Sequence, residues 1–429
     1  MRDAALPAGE AAHLAPGITD EAALAGRVFA MGRGSFLYDV DGNAYLDFAS
    51  GILTQNVGHA HPSVIAAVSA QLAALTNVHD SSTPARDALC TRLAQVFPPH
   101  LSRFAFFSSG TEAIEAAIRA IQGHAGPDRP VIAALRGGFH GKTQGARALV
   151  GWNIGHVDTS PNARQFNSAH CFKCPLGLHF PICDIACAQD IAGQIDAADD
   201  LAAIVFEPIQ TAAGVVVPPR DYWRIIADAC QRNDVLMVAD EIVSAGGRTG
   251  AFLACEHYGI EPDLVTAAKG LSSGIPFSLL AGREAIMTSG SFGAAGASSS
   301  TFGGNPLSCA AVSATLDVLR DEDLIATMPA RSRLLAAGLD ALRTSFPDAI
   351  ADIRGIGLLF AIEFGPIDSP SSERKHRADE FYRACLDRGV RIGVGGNTVR
   401  IAPPLNVSLD HIAQATAIFA DALRQPVHA

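Results

Sequence analysis

The sequence predicts an α/β protein in which a mainly parallel, seven-stranded type of sheet forms a large domain beside a smaller α+β domain. Short apolar runs alternate with helix-like segments through the middle of the chain, and turn residues bound each run. Such runs are typical of strands buried on both faces of a parallel sheet. The length of 429 residues also exceeds the usual size of one domain.

The predicted elements follow one another in a regular order. In FLYDVDGNAYLDF at 36–48, apolar and polar residues alternate and Asp41-Gly42 is a turn signal, so the segment predicts a hairpin. Helical spacing predicts helices in TEAIEAAIRAIQ and, as a crossover between strands, in DYWRIIADACQRN. The sheet strands are FAFF at 104–107, VIAAL at 131–135, AIVFEP at 203–208, VLMVAD at 235–240, DLVTAA at 263–268 and SLLAG at 278–282.

The pattern changes near residue 306, where longer amphipathic stretches begin and RGIGLLFAIEF reads as one strand between them. This change predicts a second domain of α+β type. We therefore expect a large domain over 56–300, and a small domain that combines 1–55 with 301–429.

Composition narrows the function class. Hydrophobic residues make up 48% of the chain and the net charge is −11, which favours a folded protein and argues against nucleic-acid binding. No apolar run reaches the length of a membrane span. The first residues, MRDAALPAGEAAHLAPG, lack the basic start and apolar stretch of a signal peptide. We expect a soluble cytoplasmic protein whose partners are small molecules, not nucleic acid or membrane.

Four of the nine cysteines cluster in CFKCPLGLHFPICDIACAQD, at Cys171, Cys174, Cys183 and Cys187. Two pairs at this spacing are compatible with zinc or an iron–sulfur cluster. The alternative is a loop in which small apolar thiols pack inside an irregular segment. The spacer between the pairs is shorter than in common zinc modules, which favours the packing interpretation.

A lysine and an aspartate at strand ends suggest a specific chemistry. Lys269 follows the apolar run DLVTAA and precedes a Gly/Ser-rich turn, and Asp240 ends VLMVAD. With pyridoxal phosphate (PLP), such a lysine forms a Schiff base and such an aspartate keeps the pyridine nitrogen protonated. The alternative for Lys269 is a solvated surface lysine.

Two glycine-containing turns add to this hypothesis. SSGTEA at 108–113 joins a strand to a helix, whose N-terminus suits a phosphate. A plain N-cap without a ligand is equally compatible. In GGFHGKT at 137–143, Phe139 is a candidate for stacking on a cofactor ring, or else a core residue.

Eight motifs in order resemble the class III (subgroup II) PLP-dependent aminotransferases of fold type I. They are GNAYLDFASGILTQNVGHAHPSV, SSGTEAIEAAIRA, FHGKTQGA, FEPIQ, VADEIVSAGGRTG, DLVTAAKGLSSGIPF, STFGGNPLSCAA and VRIAPPLNVS, and they span most of the chain. The resemblance implies a PLP-dependent transferase of fold type I.

The resemblance also implies a role for particular residues. Lys269 is the Schiff-base lysine and Asp240 the pyridinium partner. The resemblance further implies a phosphate cradle of Ser109, Gly110 and Thr111, with Phe139 as the stacking ring. Thr301, in STFGGNP, reaches the phosphate in the neighbouring subunit, which implies a homodimer with shared sites. The Gly/Ser-rich stretch 290–305 is then an interface loop, although its composition alone suggests a flexible linker.

One position departs from the family pattern. Many members carry Gln three residues after the aspartate, where this chain has Val243. The resemblance implies that Val243 packs on the face of the cofactor ring, as in members that act on ω-amino acids and amines.

Two residues bear on the substrate. Arg400, in TVRIAPPL, matches the family's α-carboxylate-binding arginine, and a guanidinium suits a carboxylate through two parallel hydrogen bonds. Glu207, in FEPIQ, matches a glutamate that pairs with this arginine when the donor lacks an α-carboxylate. Alternatively, Arg400 is a structural surface arginine, and Glu207 is a capped or paired carboxylate.

The predicted function is therefore ping-pong transfer of an amino group from an amine or an ω-/α-amino acid to pyruvate or 2-oxoglutarate. Lys269, neutral in a desolvated site, moves the proton between the substrate carbon and C4′ of the cofactor. The same scaffold also supports amino-acid racemases or epimerases and a dialkylglycine-type decarboxylase. A PLP-fold binding module without enzyme activity is a more remote alternative.

Overall fold

The structure is a computed structural model that describes residues 7–18, 25–151 and 160–424. Part of the predicted small domain, including residues 1–6 of the segment considered for a signal peptide, lies outside these ranges. In the part of the chain that the structure describes, no helix is long and apolar enough to cross a membrane.

The described strands are numbered β1 to β15. They are β1 Phe29–Arg33, β2 Phe36–Asp39, β3 Ala44–Asp47, β4 Arg103–Phe107, β5 Val131–Leu135, β6 Ala163–Phe166, β7 Leu201–Phe206, β8 Leu236–Asp240, β9 Leu264–Ala268, β10 Ser278–Gly282, β11 Ile350–Ile356, β12 Leu359–Phe364, β13 Val390–Arg391, β14 Gly393–Gly395 and β15 Thr398–Ile401.

The described α-helices are numbered α1 to α13. They are α1 Ala8–His13, α2 Ser50–Leu53, α3 Pro62–Ala74, α4 Pro84–Val96, α5 Gly110–Ala125, α6 Gln144–Ala148, α7 Ala186–Asp196, α8 Tyr222–Arg232, α9 Glu284–Met287, α10 Pro306–Asp321, α11 Met328–Ser345, α12 Ser371–Asp387 and α13 Leu409–Arg424. Short 3-10 turns lie at Pro16–Ile18, Cys171–Lys173, Ala254–Tyr258 and Lys269–Leu271.

The chain divides into two compact units, Pro62–Ile325 and Met1–His61 with Ala326–Ala429. The sequence predicts a large domain over 56–300, with the second segment of the small domain starting at residue 301. The later boundary differs because α10 packs on α3 and α4, so this helix belongs with the larger unit.

The larger unit contains a seven-stranded sheet in the order β4-β10-β9-β8-β7-β5-β6. Every pairing is parallel except those of β10, which runs antiparallel to both β4 and β9. This arrangement confirms the predicted α/β class with a mainly parallel sheet. Every residue of β5, β7, β8, β9 and β10 is buried, which explains why these strands are continuous apolar runs.

Helices cover this sheet with small and aliphatic residues. Ala113, Ile114 and Ala117 of α5 lie in one buried cluster with Val205 of β7 and Val238 of β8. Because alanine has a small side chain, α5 approaches the sheet closely. The crossover helix α8 was predicted from DYWRIIADACQRN, and β6 was missed because ARQF lacks an apolar run.

The smaller unit holds two four-stranded sheets, ordered β1-β2-β3-β13 and β11-β12-β15-β14. The predicted hairpin is present as β2 and β3, with Gly42 at φ 85° in its turn. The prediction of one strand in RGIGLLFAIEF was wrong. The segment forms two antiparallel strands, β11 and β12, because the chain reverses at Gly357, whose φ is 62°.

A buried carboxylate organises the turn after β3. Asp47 is fully buried and accepts hydrogen bonds from Ala49 N at 3.1 Å and Gly51 N at 2.6 Å. It also contacts His59 Nε2 at 2.7 Å and Arg391 Nη1 at 3.1 Å. Burial alone raises the pKa of Asp47, but the His59 hydrogen bond and the Arg391 charge outweigh it, so this pKa lies below its usual value.

The first prediction concerns this carboxylate. Asp47→Ala should lower the free energy of unfolding by about 3–5 kcal/mol at neutral pH, because it leaves the half-buried Arg391 and His59 without their anion. Since the folded-state pKa is depressed, the stabilisation is complete above the unfolded-state value of about 3.9 and is lost as pH falls through the folded value.

Urea unfolding of the wild type and Asp47→Ala at neutral and acidic pH measures both effects, with the exposed Asp41→Ala as control. The difference between wild type and Asp47→Ala should shrink in acid. A difference that stays constant with pH would show that the Asp47 charge does not stabilise the fold.

Candidate active site

The sheet of the larger unit brings several polar residues to one edge. Asp240 is the last residue of β8, Glu207 follows β7, and Lys269 follows β9. These strands are parallel, so their carboxyl ends meet at the same edge. Ser278 of β10 pairs with Phe107 on one side and with Ala268 on the other. The turn after β4 therefore lies level with Lys269.

Asp240 is buried and has a full set of partners. Its Oδ1 accepts hydrogen bonds from Ile242 N at 3.1 Å and from Thr266 Oγ1 at 3.4 Å. Its Oδ2 lies 2.8 Å from Nδ1 of His140. Three elements thus fix this carboxylate: the turn after β8, strand β9 and the loop after β5.

His140 was not singled out from the sequence, although it stands next to Phe139 in the quoted GGFHGKT motif. Its side chain is fully buried, and its Nε2 has no hydrogen-bond partner among the described residues. Burial alone lowers the pKa of His140, but the hydrogen bond and charge of Asp240, with the charge of Glu207, raise it above its usual value. The imidazole therefore lies close to two buried carboxyl groups.

Glu207 is buried and is held by the backbone around it. Its Oε1 accepts a hydrogen bond from Phe139 N, and its Oε2 accepts one from Thr211 N, both at 2.9 Å. Burial raises the pKa of Glu207 to about 7, and the charge of His140 opposes this shift. Both oxygens therefore accept a hydrogen bond from a backbone amide. The pairing with Arg400 stays a prediction.

Lys269 occupies an unusual backbone conformation. Its φ is 46°, in the left-handed region that is costly for a residue with a Cβ. The residue is half-buried and begins a 3-10 turn, in which its carbonyl accepts from Ser272 N at 3.1 Å and from Ser272 Oγ at 3.2 Å. This turn sets where the lysine side chain leaves the sheet edge.

Glu112, in the first turn of α5, holds the turn that precedes this helix. Glu112 Oε2 accepts from Ser109 N at 2.8 Å and Ser109 Oγ at 2.9 Å, which forms a capping box. A Cβ added at Gly110 would lie 2.8 Å from the Cδ1 of Ile242. Gly110 therefore permits the close approach between this helix and the turn after Asp240.

A hydroxyl pair joins this helix to the loop that carries Phe139. Thr111 Oγ1 and Thr143 Oγ1 are 2.6 Å apart, and the Thr143 hydroxyl donates to Glu115 Oε1 at 2.6 Å. A Cβ at Gly141, whose φ is 137°, would lie 2.2 Å from Thr111 Oγ1. Glu115 and Thr143 were not singled out from the sequence, although they lie within the quoted motifs SSGTEAIEAAIRA and FHGKTQGA.

The remaining predicted site residues lie in several places. Phe139 and Val243 are half-buried. Thr301 is exposed, and its carbonyl accepts from Asn77 Nδ2 at 3.1 Å. Arg400 is half-buried on β15 of the smaller unit, opposite Ala361 of β12. The sheet edge of the larger unit therefore collects the predicted cofactor residues apart from Thr301, whereas Arg400 belongs to the other unit.

The four clustered cysteines line one small cavity of about 10 Å³. In the described part of the chain, no group of three or more His, Cys, Asp or Glu side chains is arranged to hold a metal ion. Burial, with a contribution from the neighbouring thiols, raises the pKa of Cys187 to about 11, so this thiol is neutral at pH 7. The structure thus shows thiols packed around a small space, and metal binding stays a hypothesis.

The residues at the sheet edge fit PLP. Asp240 presents a buried carboxylate at one strand end, which suits a protonated pyridine nitrogen, and Lys269 follows the adjacent strand. The first turn of α5, which begins at Gly110, offers backbone N–H groups to a phosphate. The three features lie at one edge of one sheet, as a single ligand with an aldehyde, a ring nitrogen and a phosphate requires.

Comparison with known proteins agrees with this geometry. Acetylornithine aminotransferase of Methanopyrus kandleri is 34% identical over 92% of this chain and 93% of its own length. 4-Aminobutyrate aminotransferase of Mycobacterium leprae is 33% identical over 90% of this chain and 88% of its own length. An amine transaminase from an uncultivated Pseudomonas species, solved in its PLP-bound form, superposes with a TM-score of 0.85 at 28% identity, covering 93% of this chain and 95% of that one.

The family model for class III aminotransferases matches residues 20–423, which is nearly the whole chain. This match and the relatives favour an enzyme over the alternative of a binding module without activity. The chain therefore belongs to the class III aminotransferase family, whose members are PLP-dependent enzymes of fold type I.

Proposed function

We propose that this enzyme transfers an amino group from an amine or an ω-/α-amino acid to pyruvate or 2-oxoglutarate by a ping-pong route, with its catalytic centre at the carboxyl edge of the seven-stranded sheet. The observation that carries the proposal is the meeting of Asp240, Lys269 and the start of α5 at that edge. When bound there, PLP supplies an electron sink for negative charge at the substrate carbon.

In this proposal Asp240 keeps the pyridine nitrogen protonated. Its three hydrogen bonds prevent the carboxylate from turning away. Phe139 would stack on the ring, and Val243 would pack against a ring face. The backbone N–H of Phe139 is fixed by Glu207, which limits the movement of the stacking residue.

The phosphate is bound at the first turn of α5 by Ser109, Gly110 and Thr111. The hydroxyl of Ser109 donates to Glu112, and that of Thr111 is shared with Thr143. Backbone N–H groups at the helix N-terminus are therefore the main donors, and the hydroxyls hold the turn in shape.

Lys269 holds the cofactor covalently at rest and moves the proton during turnover. Its neutral Nζ would accept the proton from the substrate carbon, hold it, and release it again later in the reaction. The strained backbone at Lys269 supports this role, because left-handed residues other than glycine concentrate at functional sites.

The relatives support donors whose amino group lies away from an α-carboxylate, since two of them are named for acetylornithine and 4-aminobutyrate. In this proposal Arg400 binds the carboxylate of the keto acid. The pairing of Glu207 with Arg400 stays a prediction, and the backbone hydrogen bonds of Glu207 argue for a supporting role instead.

A homodimer with shared sites completes the proposal, with Thr301 reaching the phosphate held by the partner subunit. The exposure of Thr301 supports this, as does Phe302 beside it, a large apolar residue that is 60% exposed. We also place the enzyme in the cytoplasm, which its nine free thiols support.

The second prediction is that borohydride reduction of the PLP-loaded protein will fix a pyridoxyl group on the peptide that contains Lys269. Lys269→Ala should lose this label and nearly all turnover, since general acid–base catalysis contributes about 10²- to 10⁴-fold. Peptide mass spectrometry and steady-state rates measure the two effects.

Lys142→Ala is the matched control, because Lys142 is exposed in the loop next to the site. It should keep both the label and the rate. Labelling at a lysine other than Lys269, or a loss of only a few-fold in Lys269→Ala, would refute the assignment.

The third prediction is that Arg400→Ala will weaken the use of keto acids and α-amino acids by about 2–5 kcal/mol in kcat/KM, the cost of breaking a buried charge pair. The half-reaction with simple amines should change much less. Single-turnover kinetics of each half-reaction measure this split, with the exposed Arg343→Ala as control. Equal losses in both half-reactions would make Arg400 a structural residue.

The fourth prediction is that Thr301→Ala will fold and dimerise but retain PLP less well. Loss of one hydrogen bond to a charged group costs about 1.5–3 kcal/mol. Equilibrium dialysis of the cofactor and sedimentation analysis measure retention and assembly, with the exposed Thr344→Ala as control. A monomeric wild type that binds PLP fully would exclude the shared site.

A further inference from the structure

The loop that carries Phe139 ends in a short helix, α6, whose cap comes from another element. Thr143 is the N-cap residue of α6, yet its hydroxyl makes no capping hydrogen bond. Glu115 of α5 takes this place, since its Oε1 accepts from Gly145 N at 2.8 Å and from Ala146 N at 3.1 Å. These are the two N–H groups that the side chain of an N-cap residue normally binds. A carboxylate of α5 therefore fastens the first turn of α6.

The hydroxyl of Thr143 serves the same junction. It donates to Glu115 Oε1 at 2.6 Å and lies 2.6 Å from Thr111 Oγ1. Because a carboxylate only accepts and each hydroxyl has one proton, Thr111 is the donor in its contact with Thr143. Thr111 and Glu115 are four residues apart, so they lie on one face of α5. The end of the loop is thus bound to that face at two points.

Glycines allow this close contact. A Cβ at Gly145 would overlap the Glu115 carboxylate, and a Cβ at Gly141 would overlap the side chain of Thr111. Ala146, which follows Gly145, is fully buried in the core cluster that also contains residues of α5. Packing and hydrogen bonds therefore hold the end of the loop on α5 together.

The beginning of the loop is fixed to the sheet instead. Phe139 N donates to Glu207 Oε1 at 2.9 Å, and Glu207 follows β7. In the function proposed above, Phe139 would stack on the cofactor ring and the first turn of α5 would bind the phosphate. Glu115 therefore belongs to the connection that sets the distance between the ring-binding and the phosphate-binding groups.

We propose that Glu115 is a positioning residue for the cofactor, which holds the loop of Phe139 at a fixed distance from the phosphate-binding turn of α5. The proposal rests on the function proposed above, because it needs the phosphate at that turn and the ring at Phe139. A ligand that carries both groups gains most affinity when the two subsites are held at the matching separation. Loss of Glu115 should therefore weaken PLP more than either of its parts.

The test compares PLP with its two parts, pyridoxal and inorganic phosphate. Dissociation constants of all three are measured by titration of the full-length apoprotein, for the wild type, Glu115→Gln and Glu115→Ala. The exposed Asp128, in the loop after the same helix, provides the control Asp128→Asn. Thermal unfolding of each protein is followed by circular dichroism, so that a loss of stability is measured separately from a loss of affinity.

The wild type should bind PLP far more tightly than pyridoxal or phosphate. Glu115→Ala should weaken PLP by about ten- to a hundredfold, the scale of one hydrogen bond to a charged group. Its affinities for pyridoxal and for phosphate should change much less, which a merely structural role would not predict. Glu115→Gln keeps an acceptor for the two backbone N–H groups, so its affinity for PLP should lie between those of the wild type and Glu115→Ala. Asp128→Asn should match the wild type.

An unchanged affinity of Glu115→Ala for PLP would overturn the proposal, even if its unfolding temperature falls. So would a loss of affinity for pyridoxal or phosphate as large as the loss for PLP, because Glu115 would then support one subsite and not their separation. Glu115→Gln decides the question if Glu115→Ala does not fold. A wild type that binds PLP no more tightly than pyridoxal would instead refute phosphate binding at α5, and with it the site proposed above.

Discussion

Parallel pairing in a sheet that is buried on both faces is the constraint on which this structure depends. Because β7, β8 and β9 run in the same direction, Glu207, Asp240 and Lys269 emerge at one edge. The antiparallel strand β10 joins β4 to this group, and its Ser278 hydroxyl donates to Ser109 O at 2.7 Å. The sheet hydrogen bonds thereby set the distance between the lysine and the turn before α5.

Buried charge is the second constraint, and both units deal with it in the same way. Asp240 in the larger unit and Asp47 in the smaller unit each accept hydrogen bonds from the backbone, and each also contacts a histidine ring nitrogen through Oδ2. Each is thereby compensated for the loss of water. In the smaller unit the arrangement fixes the turn after β3. In the larger unit we propose that it holds a cofactor ring.

Close approach of backbone segments is what allows these groups to meet. Gly110 and Gly141 lie where a Cβ would overlap a neighbouring side chain. A similar limit applies in the loop after residue 290, where a Cβ at Gly303 would lie 2.1 Å from Phe106 O. The glycines of SSGTEA, FHGKT and STFGGNP therefore have a packing reason that is independent of any ligand.

The sequence by itself predicted the fold class, because buried strands are apolar runs that the local pattern reveals. Five of the seven strands of the large sheet were predicted to within one residue at each end, and the predicted bounds of a sixth, β7, lie two residues too late. It also predicted the family and the cofactor, since eight short motifs in order are specific. It did not reveal β6, the hairpin of β11 and β12, or that α10 packs with the larger unit, since these depend on pairing and packing between distant segments. Nor did it reveal that His140 lies behind Asp240 or that backbone amides occupy Glu207. Those contacts join residues far apart in the chain, so only the tertiary structure could decide them.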